Sequence, residues 1–99
     1  RTKLATAYRE NALHVACCLL VTGPTSPAAL RAMGTGAKTL DILRLNAYGW
    51  FERVGTGVYR LAAHAAVDLD AWPELKRRYL GRARRAARKD ARGVNGKPA

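Results

Sequence analysis

The fold is decided by residues 49–61, which read GWFERVGTGVYRL. Two short runs of aromatic and β-branched residues flank the sequence Gly55-Thr56-Gly57, and this pattern predicts a β-hairpin with a three-residue loop. That loop places Val54 opposite Val58, Arg53 opposite Tyr59, Glu52 opposite Arg60 and Phe51 opposite Leu61. Opposite charges and apolar side chains face each other in these pairs, which supports the register.

Three helices are predicted before the hairpin. The first covers about Leu4 to Val21, where apolar residues recur at helical spacing. Ser26 is a good N-cap and Pro27 suits a first helical position, so Ala28 to Met33 is expected to form a short second helix. The third helix, Gly36 to Tyr48, follows a glycine-containing turn and leads straight into the hairpin. This order predicts a mainly α domain with a small β-hairpin, a winged helix-turn-helix with a three-helix core plus a wing.

Positive charge is concentrated near the end of the chain. The 99 residues include 18 Lys and Arg against 7 Asp and Glu, and 10 of those basic residues lie in 75–99. We therefore predict a winged-helix domain over 1–75 and a basic helical or disordered tail over 76–99. Between hairpin and tail, Ala62 to Asp70 is expected to form a short helix, and Trp72 is expected to pack on the core.

The basic segment admits three interpretations: a helix that follows a nucleic-acid backbone, a dimer or membrane-surface helix, or a disordered solubilising tail. Few bulky apolar residues follow Leu80, which weakens the membrane option. If the segment neutralised about five phosphates, the logarithm of the DNA-binding constant would fall with the logarithm of the salt concentration at a slope of about −4.5. Such binding would carry no sequence code.

Candidate DNA-binding residues occur on the predicted third helix, on the predicted wing and in the basic segment at the end of the chain. On the third helix, Arg44 suits guanine or phosphate, whereas Asp41 opposes contact with phosphate and leaves open an ordinary helix that only completes the core. On the wing, Arg53 and Arg60 suit backbone contacts, or else Arg53 stacks on Tyr59 and Arg60 pairs with Glu52. The candidate set is Lys38, Thr39, Arg44, Asn46, Arg53, Thr56, Arg60, Arg77, Arg78, Arg82 and Arg85.

Signs of catalysis and of cofactor binding are weak. The sequence has no P-loop, GxSxG, HExxH or CxxC motif. Cys17 and Cys18 are adjacent and fit buried helix positions in a reduced, cytoplasmic protein, and neither His14 nor His64 has a partner at metal-ligand spacing. No run of 18 apolar residues is present. We expect a non-enzymatic, cofactor-free segment that does not enter a membrane, and the Arg at position 1 suggests a piece of a longer protein.

Several short motifs carry a family resemblance. They are residues 2–4 with 8–13, residues 23–24, residues 34–39 and, above all, YGWFERV at 48–54 with GVY at 57–59. Over about residues 2–75 the chain resembles the C-terminal part of an uncharacterised bacterial family of putative PD-(D/E)XK-type phosphodiesterases. The resemblance implies a nuclease-like domain N-terminal to this segment, with the metal-binding carboxylates and lysine of that motif. None of those residues matches a position here, so no catalytic residue is carried over.

Three functional hypotheses remain. The first is a duplex-DNA-binding winged helix, the accessory substrate-binding part of a nuclease or phosphodiesterase. The second is an interaction module that uses Ile42, Leu45 and the Trp50 face to dock on its own nuclease-like domain or on a second copy. The third is a binder of single strands or RNA that stacks bases on Trp50 and Tyr59. Base preference and oligomeric state cannot be derived from the sequence.

Overall fold

The computed structural model describes the backbone of residues 2–95 and the side chains of residues 7–88. This part of the chain is mainly helical with one antiparallel two-stranded hairpin. Its elements are α1 (Thr2–Thr22), α2 (Pro27–Ala32), α3 (Thr39–Leu45), β1 (Phe51–Gly55), β2 (Val58–Leu61), α4 (Ala63–Asp68), a 3₁₀ helix (Leu69–Ala71) and α5 (Pro73–Asn95). The predicted mainly α domain with a small hairpin is confirmed at this level, and the winged-helix assignment stays a prediction.

α1 is the central helix of the core. All eight residues from 12 to 19 are buried, on every side of the helix. Seven of these eight residues are apolar and His14 is polar, so this stretch of α1 has no polar face to turn to water and belongs inside the protein. α5 packs along α1, and α2, α3 and β2 also contact it. Cys17 and Cys18 lie in this buried stretch as free thiols, as predicted.

The hairpin keeps three of its four predicted pairs. Phe51 pairs with Leu61, Glu52 with Arg60 and Arg53 with Tyr59. The fourth pair is wrong, because Gly55 rather than Val54 lies opposite Val58 and the register shifts between residues 53 and 55. The turn therefore has two central residues, with Gly57 in the left-handed region at φ 68°. The residue left over forms a bulge, which leaves Val54 exposed to solvent.

A third short β segment ties the helices to the hairpin. Thr25, between α1 and α2, forms an isolated antiparallel bridge with Tyr59 of β2. Two backbone hydrogen bonds of 2.9 and 2.8 Å join these residues. The next residue, Ser26, caps α2 through its hydroxyl, which accepts from the Ala29 N–H at 3.1 Å. The predicted cap is confirmed, and the start of α2 is fixed beside the hairpin.

α3 is shorter than the predicted span of Gly36 to Tyr48. It begins at Thr39, whose hydroxyl donates to the Gly36 carbonyl at 2.6 Å, and it ends before Asn46. Asn46 is left-handed, with φ 48°, and its side-chain amide both donates to the Phe51 carbonyl at 2.9 Å and accepts from the Phe51 N–H at 3.0 Å. These bonds fold the chain from α3 directly into β1.

The core continues past the predicted boundary at residue 75. α5 is one helix from Pro73, and its Tyr79 and Ala83 side chains are buried in the same cluster as those of α1. Trp72, just before it, is half-buried against the core as predicted. The first half of the basic segment is therefore an integral helix of the domain.

Candidate nucleic-acid interface

α5 presents a continuous arginine face to solvent. Its buried side is set by Tyr79 and Ala83, with Leu75 and Leu80 half-buried beside them. At 100° per residue the opposite side of the helix receives Arg77, Arg78, Arg84, Arg85 and Arg88, whereas Arg82 lies at the edge of the buried side, about 60° from Tyr79. All six are exposed: Arg77, Arg78, Arg82, Arg84, Arg85 and Arg88. We call these six residues the α5 arginine face. Glu74 is the only carboxylate among the exposed side chains of residues 74–88.

A polar cluster at the interface between α1 and α5 holds this helix in place. The Tyr79 hydroxyl donates to Glu10 Oε1 at 3.1 Å, and the His14 ring stacks on the Tyr79 ring at 5.0 Å between centroids. The Arg82 guanidinium lies over the Tyr79 ring, with its Cζ 5.2 Å from the ring centroid. Burial, followed by the hydrogen bond to Glu10 and its charge, raises the pKa of Tyr79. The Tyr79 phenol therefore stays neutral and donates its hydrogen bond to Glu10.

His14 is buried in this cluster, and no hydrogen-bond partner of its Nε2 is found among the described residues. Burial lowers the pKa of His14 from its usual 6.5, and the nearby charge of Arg82 lowers it further. The imidazole is therefore neutral in the folded protein at pH 7. A second cation beside Arg82 would be unfavourable at this interface.

Acidification should destabilise the domain through His14. Below about pH 6.5 the unfolded chain binds a proton at this histidine more readily than the folded chain, so the free energy of unfolding falls as pH falls through that range. Urea unfolding between pH 7.5 and 5.5, with His64→Gln in every protein, isolates the effect, since the sequence holds two histidines. The added change His14→Phe should flatten the curve. An equal slope with and without His14 would contradict the assignment.

Lys38 and Arg44 of the predicted reading helix are exposed, and so is Asp41 between them. Lys38 occupies the N-cap position of α3, and Arg44 lies in its last turn. The carboxylate of Asp41 therefore shares the solvent-facing side with both cations. This surface is closer to charge balance than the α5 arginine face.

The side chains of two further residues of the predicted set form hydrogen bonds within the fold. Thr39 is completely buried, and its hydroxyl is bonded to Gly36 and to the Thr35 hydroxyl. Both halves of the Asn46 amide are taken by the backbone of Phe51. Neither side chain is presented to a base or a phosphate, because each is needed to shape one end of α3.

The hairpin cations are exposed but partly compensated. The Arg60 Nε donates to Glu52 Oε1 at 2.8 Å, which is the cross-strand ion pair considered from the sequence. The Arg53 Nε donates to the Gly55 carbonyl at 3.3 Å, and Thr56 is exposed at the tip of the turn. Among these two arginines the hairpin therefore offers one unpaired guanidinium charge, since Arg53 bonds to a neutral acceptor.

The apolar docking face suggested by the sequence is largely internal. Ile42 and Trp50 are buried in the core, whereas Leu45 is 67% exposed. Trp50 is not available for stacking on a base, and Tyr59 is half-buried in the hairpin. The side chains on which the second and third hypotheses depended are thus mostly used by the fold itself.

Sequence reasoning missed two arginines of the α5 arginine face. Arg84 and Arg88 are exposed on the same side of the helix as Arg77. The signal was present, because positions seven apart on a helix share a face and Arg84 follows Arg77 by seven residues. Treating the segment as a tail, rather than as a packed helix, hid that spacing.

Residues that could bind a metal ion are not grouped together in the described part of the chain. No cluster of three or more His, Cys, Asp or Glu suited to a metal ion occurs there. Burial raises the pKa of Cys17 to about 11, and burial with the neighbouring Cys17 raises that of Cys18 to about 12, so both thiols remain protonated. Within residues 2–95 no helix is long and apolar enough to cross a membrane.

Comparison with known proteins gave one family. A family model described as "Putative PD-(D/E)XK phosphodiesterase (DUF2161)" matches residues 1–67. The match covers α1, α2, α3, the hairpin and all but the last residue of α4, and it ends before α5. Comparisons with curated proteins and with solved structures gave no significant match.

Proposed function

Because this chain belongs to the family described as putative PD-(D/E)XK phosphodiesterases, we propose that it is a DNA-binding winged-helix domain that holds duplex DNA for a phosphodiesterase. The nuclease-like domain that the resemblance implies would lie elsewhere in the same protein. The residues of this chain receive a binding role and no catalytic one. The accessory role is an inference by analogy with the family, and the binding role rests on the surface of α5.

The α5 arginine face is the observation that carries the proposal. Six exposed arginines lie along a packed helix, five of them on the side opposite its buried residues, with one carboxylate among them. A phosphate backbone is the partner that such a surface fits, because each arginine that neutralises a phosphate also releases condensed counterions. Packing against α1 holds the helix, so binding does not have to order a free tail.

The winged-helix assignment draws support from the order of elements. α2 and α3 are followed at once by the hairpin, and the bridge from Thr25 to Tyr59 joins the start of α2 to β2. In this arrangement Lys38, Arg44, Arg53 and Arg60 project from the reading helix and the wing. We call these four residues the wing set, and we propose that they contribute secondary contacts.

The test compares two variants that each lose four positive charges. One carries Arg77→Gln, Arg78→Gln, Arg84→Gln and Arg85→Gln; the other changes the whole wing set to Gln. Binding of a labelled random duplex is measured across a salt series, and circular dichroism confirms that each variant is folded. The α5 variant should reduce the magnitude of the salt slope by about 3 to 4, since each lost phosphate contact removes about one unit.

The two variants separate the possible outcomes. A larger loss in the α5 variant than in the wing variant supports the proposal. A larger loss of affinity in the wing variant would mean that α3 and the hairpin make the main contacts with DNA. Equal weak binding by all three proteins, including the unchanged chain, would overturn the DNA-binding function.

A further inference from the structure

We propose that one backbone phosphate of the duplex enters a cleft at the beginning of α5, which would make this cleft the anchoring point of the α5 arginine face. The cleft has a volume of about 300 Å³ and is lined by Asp70, Pro73, Lys76, Arg77, Leu80 and Arg84. The proposal rests on the DNA-binding function proposed above. It adds a specific site to what would otherwise be a diffuse electrostatic surface.

The cleft follows one stripe of α5. Pro73, Arg77, Leu80 and Arg84 are separated by four, three and four residues, so they lie above one another along the helix. Cationic and apolar side chains therefore alternate along the cleft. A nucleic-acid backbone alternates in the same way between charged phosphates and less polar sugars. A single inorganic anion would use the cations but not the apolar floor formed by Pro73 and Leu80.

The size of the cleft suits one such unit. A volume of about 300 Å³ corresponds to roughly ten water molecules at their share of liquid volume. That is the lower limit of volumes typical for small-molecule sites. The cleft is thus large enough for a phosphate with part of its sugar.

An internal ion pair occupies part of the cleft. Lys76 Nζ lies 2.6 Å from Asp70 Oδ1, and the side chains are 27% and 67% exposed respectively. With Arg77 and Arg84 the lining has three cations and one carboxylate. An incoming phosphate would take over the Lys76 ammonium, and Asp70, as the more exposed partner, could turn to water. Asp70 therefore weakens phosphate binding at this site.

This competition gives a sharp test in the full chain. Asp70→Asn removes the carboxylate and frees Lys76, so duplex affinity should rise roughly fivefold at low salt, the effect of one unit charge at close range. Glu74→Gln changes the net charge by the same amount on the solvent side of α5. It should raise the affinity by less than about twofold, because a more distant exposed charge is screened.

A second pair of variants keeps the charge change constant. Arg77→Gln with Arg84→Gln removes both arginines of the cleft, whereas Arg78→Gln with Arg85→Gln removes two arginines of the same helix with the same spacing. We expect the first pair to weaken duplex binding about tenfold more than the second. Equal losses, or equal gains from Asp70→Asn and Glu74→Gln, would overturn the cleft while leaving DNA binding by α5 intact.

Inorganic phosphate separates this proposal from the general function. A titration followed by NMR of the Leu80 methyl groups should give a saturable shift that disappears in the Arg77/Arg84 variant and persists in the Arg78/Arg85 variant. Absence of that shift overturns the site. A shift with phosphate, together with equal duplex losses in the two arginine pairs, would identify a small-anion site only and would also overturn the anchoring of a backbone phosphate.

Discussion

A chain that ends at residue 75 should lose its cooperative unfolding transition. Residue 75 was the domain boundary that composition suggested, yet the core extends into α5 through Tyr79 and Ala83. Removal of the helix exposes one side of α1, including His14 and Cys17, which now face α5. The buried stretch of α1 over residues 12–19, apolar except for His14, would then present part of its surface to water.

The expected loss is comparable to the whole stability of the domain. Full burial of a large apolar side chain contributes about 1.5–3 kcal/mol, and truncation would expose Tyr79's partners on α1 as well as removing Tyr79 itself. The free energy of unfolding of a domain of this size is about 5–15 kcal/mol in total. Urea unfolding followed by circular dichroism would show a sloping curve for residues 1–75 and a sigmoidal one for the full chain.

Point variants of the full chain provide the matched control. Tyr79→Ala removes a buried ring and its hydrogen bond to Glu10, whereas Arg78→Ala removes a neighbouring exposed side chain. The first should lower the free energy of unfolding by about 3 kcal/mol or more, and the second by less than about 0.5 kcal/mol. A cooperative, stable fragment of residues 1–75 would show that α5 is dispensable for folding.

Local patterns were sufficient to predict much of the fold. The hairpin, the Ser26 cap and the first two helices depend on residues that are close in sequence, so turn chemistry and helical spacing identified them. The hairpin register was off by one residue at Val54, because the bulge depends on the conformation of the turn. The length of α3 was overestimated, since the bonds of Asn46 to Phe51 require the folded hairpin.

The candidate site was less accessible from the sequence. Arginine-rich composition drew attention to the right segment, but composition does not say which side of a helix is buried. Contacts of Tyr79 and Ala83 with α1 set the buried side. These contacts join residues that are far apart in sequence: Tyr79 and the Glu10 to which it is hydrogen-bonded are separated by 69 residues. Thr39 likewise looked like a surface residue at a helix start, whereas its burial depends on how the turn at Thr35 packs.

Trp50→Ala should cause the largest loss of stability of any single substitution in the hairpin region. Trp50 is 1% exposed, its ring stacks on Tyr48 at 4.5 Å between centroids, and its indole N–H donates to Asp68 Oδ2 at 3.1 Å. The side chain therefore links the start of the hairpin to α4. Loss of a buried Trp costs about 3–5 kcal/mol, because the transfer free energy and the cavity both contribute.

Trp50→Phe and Leu45→Ala resolve the components of that loss. Phenylalanine at position 50 keeps most of the stacking on Tyr48 but loses the hydrogen bond to Asp68. Because the Asp68 side chain is 47% exposed and can bond to water instead, Trp50→Phe should lower the free energy of unfolding by less than half as much as Trp50→Ala. Leu45 is 67% exposed, and its alanine variant should change the free energy of unfolding by less than about 0.5 kcal/mol. Urea unfolding at low temperature measures all three. A Trp50→Ala cost below about 1 kcal/mol would mean that this ring does not anchor the hairpin to the helical core, because cavity formation alone should exceed that value.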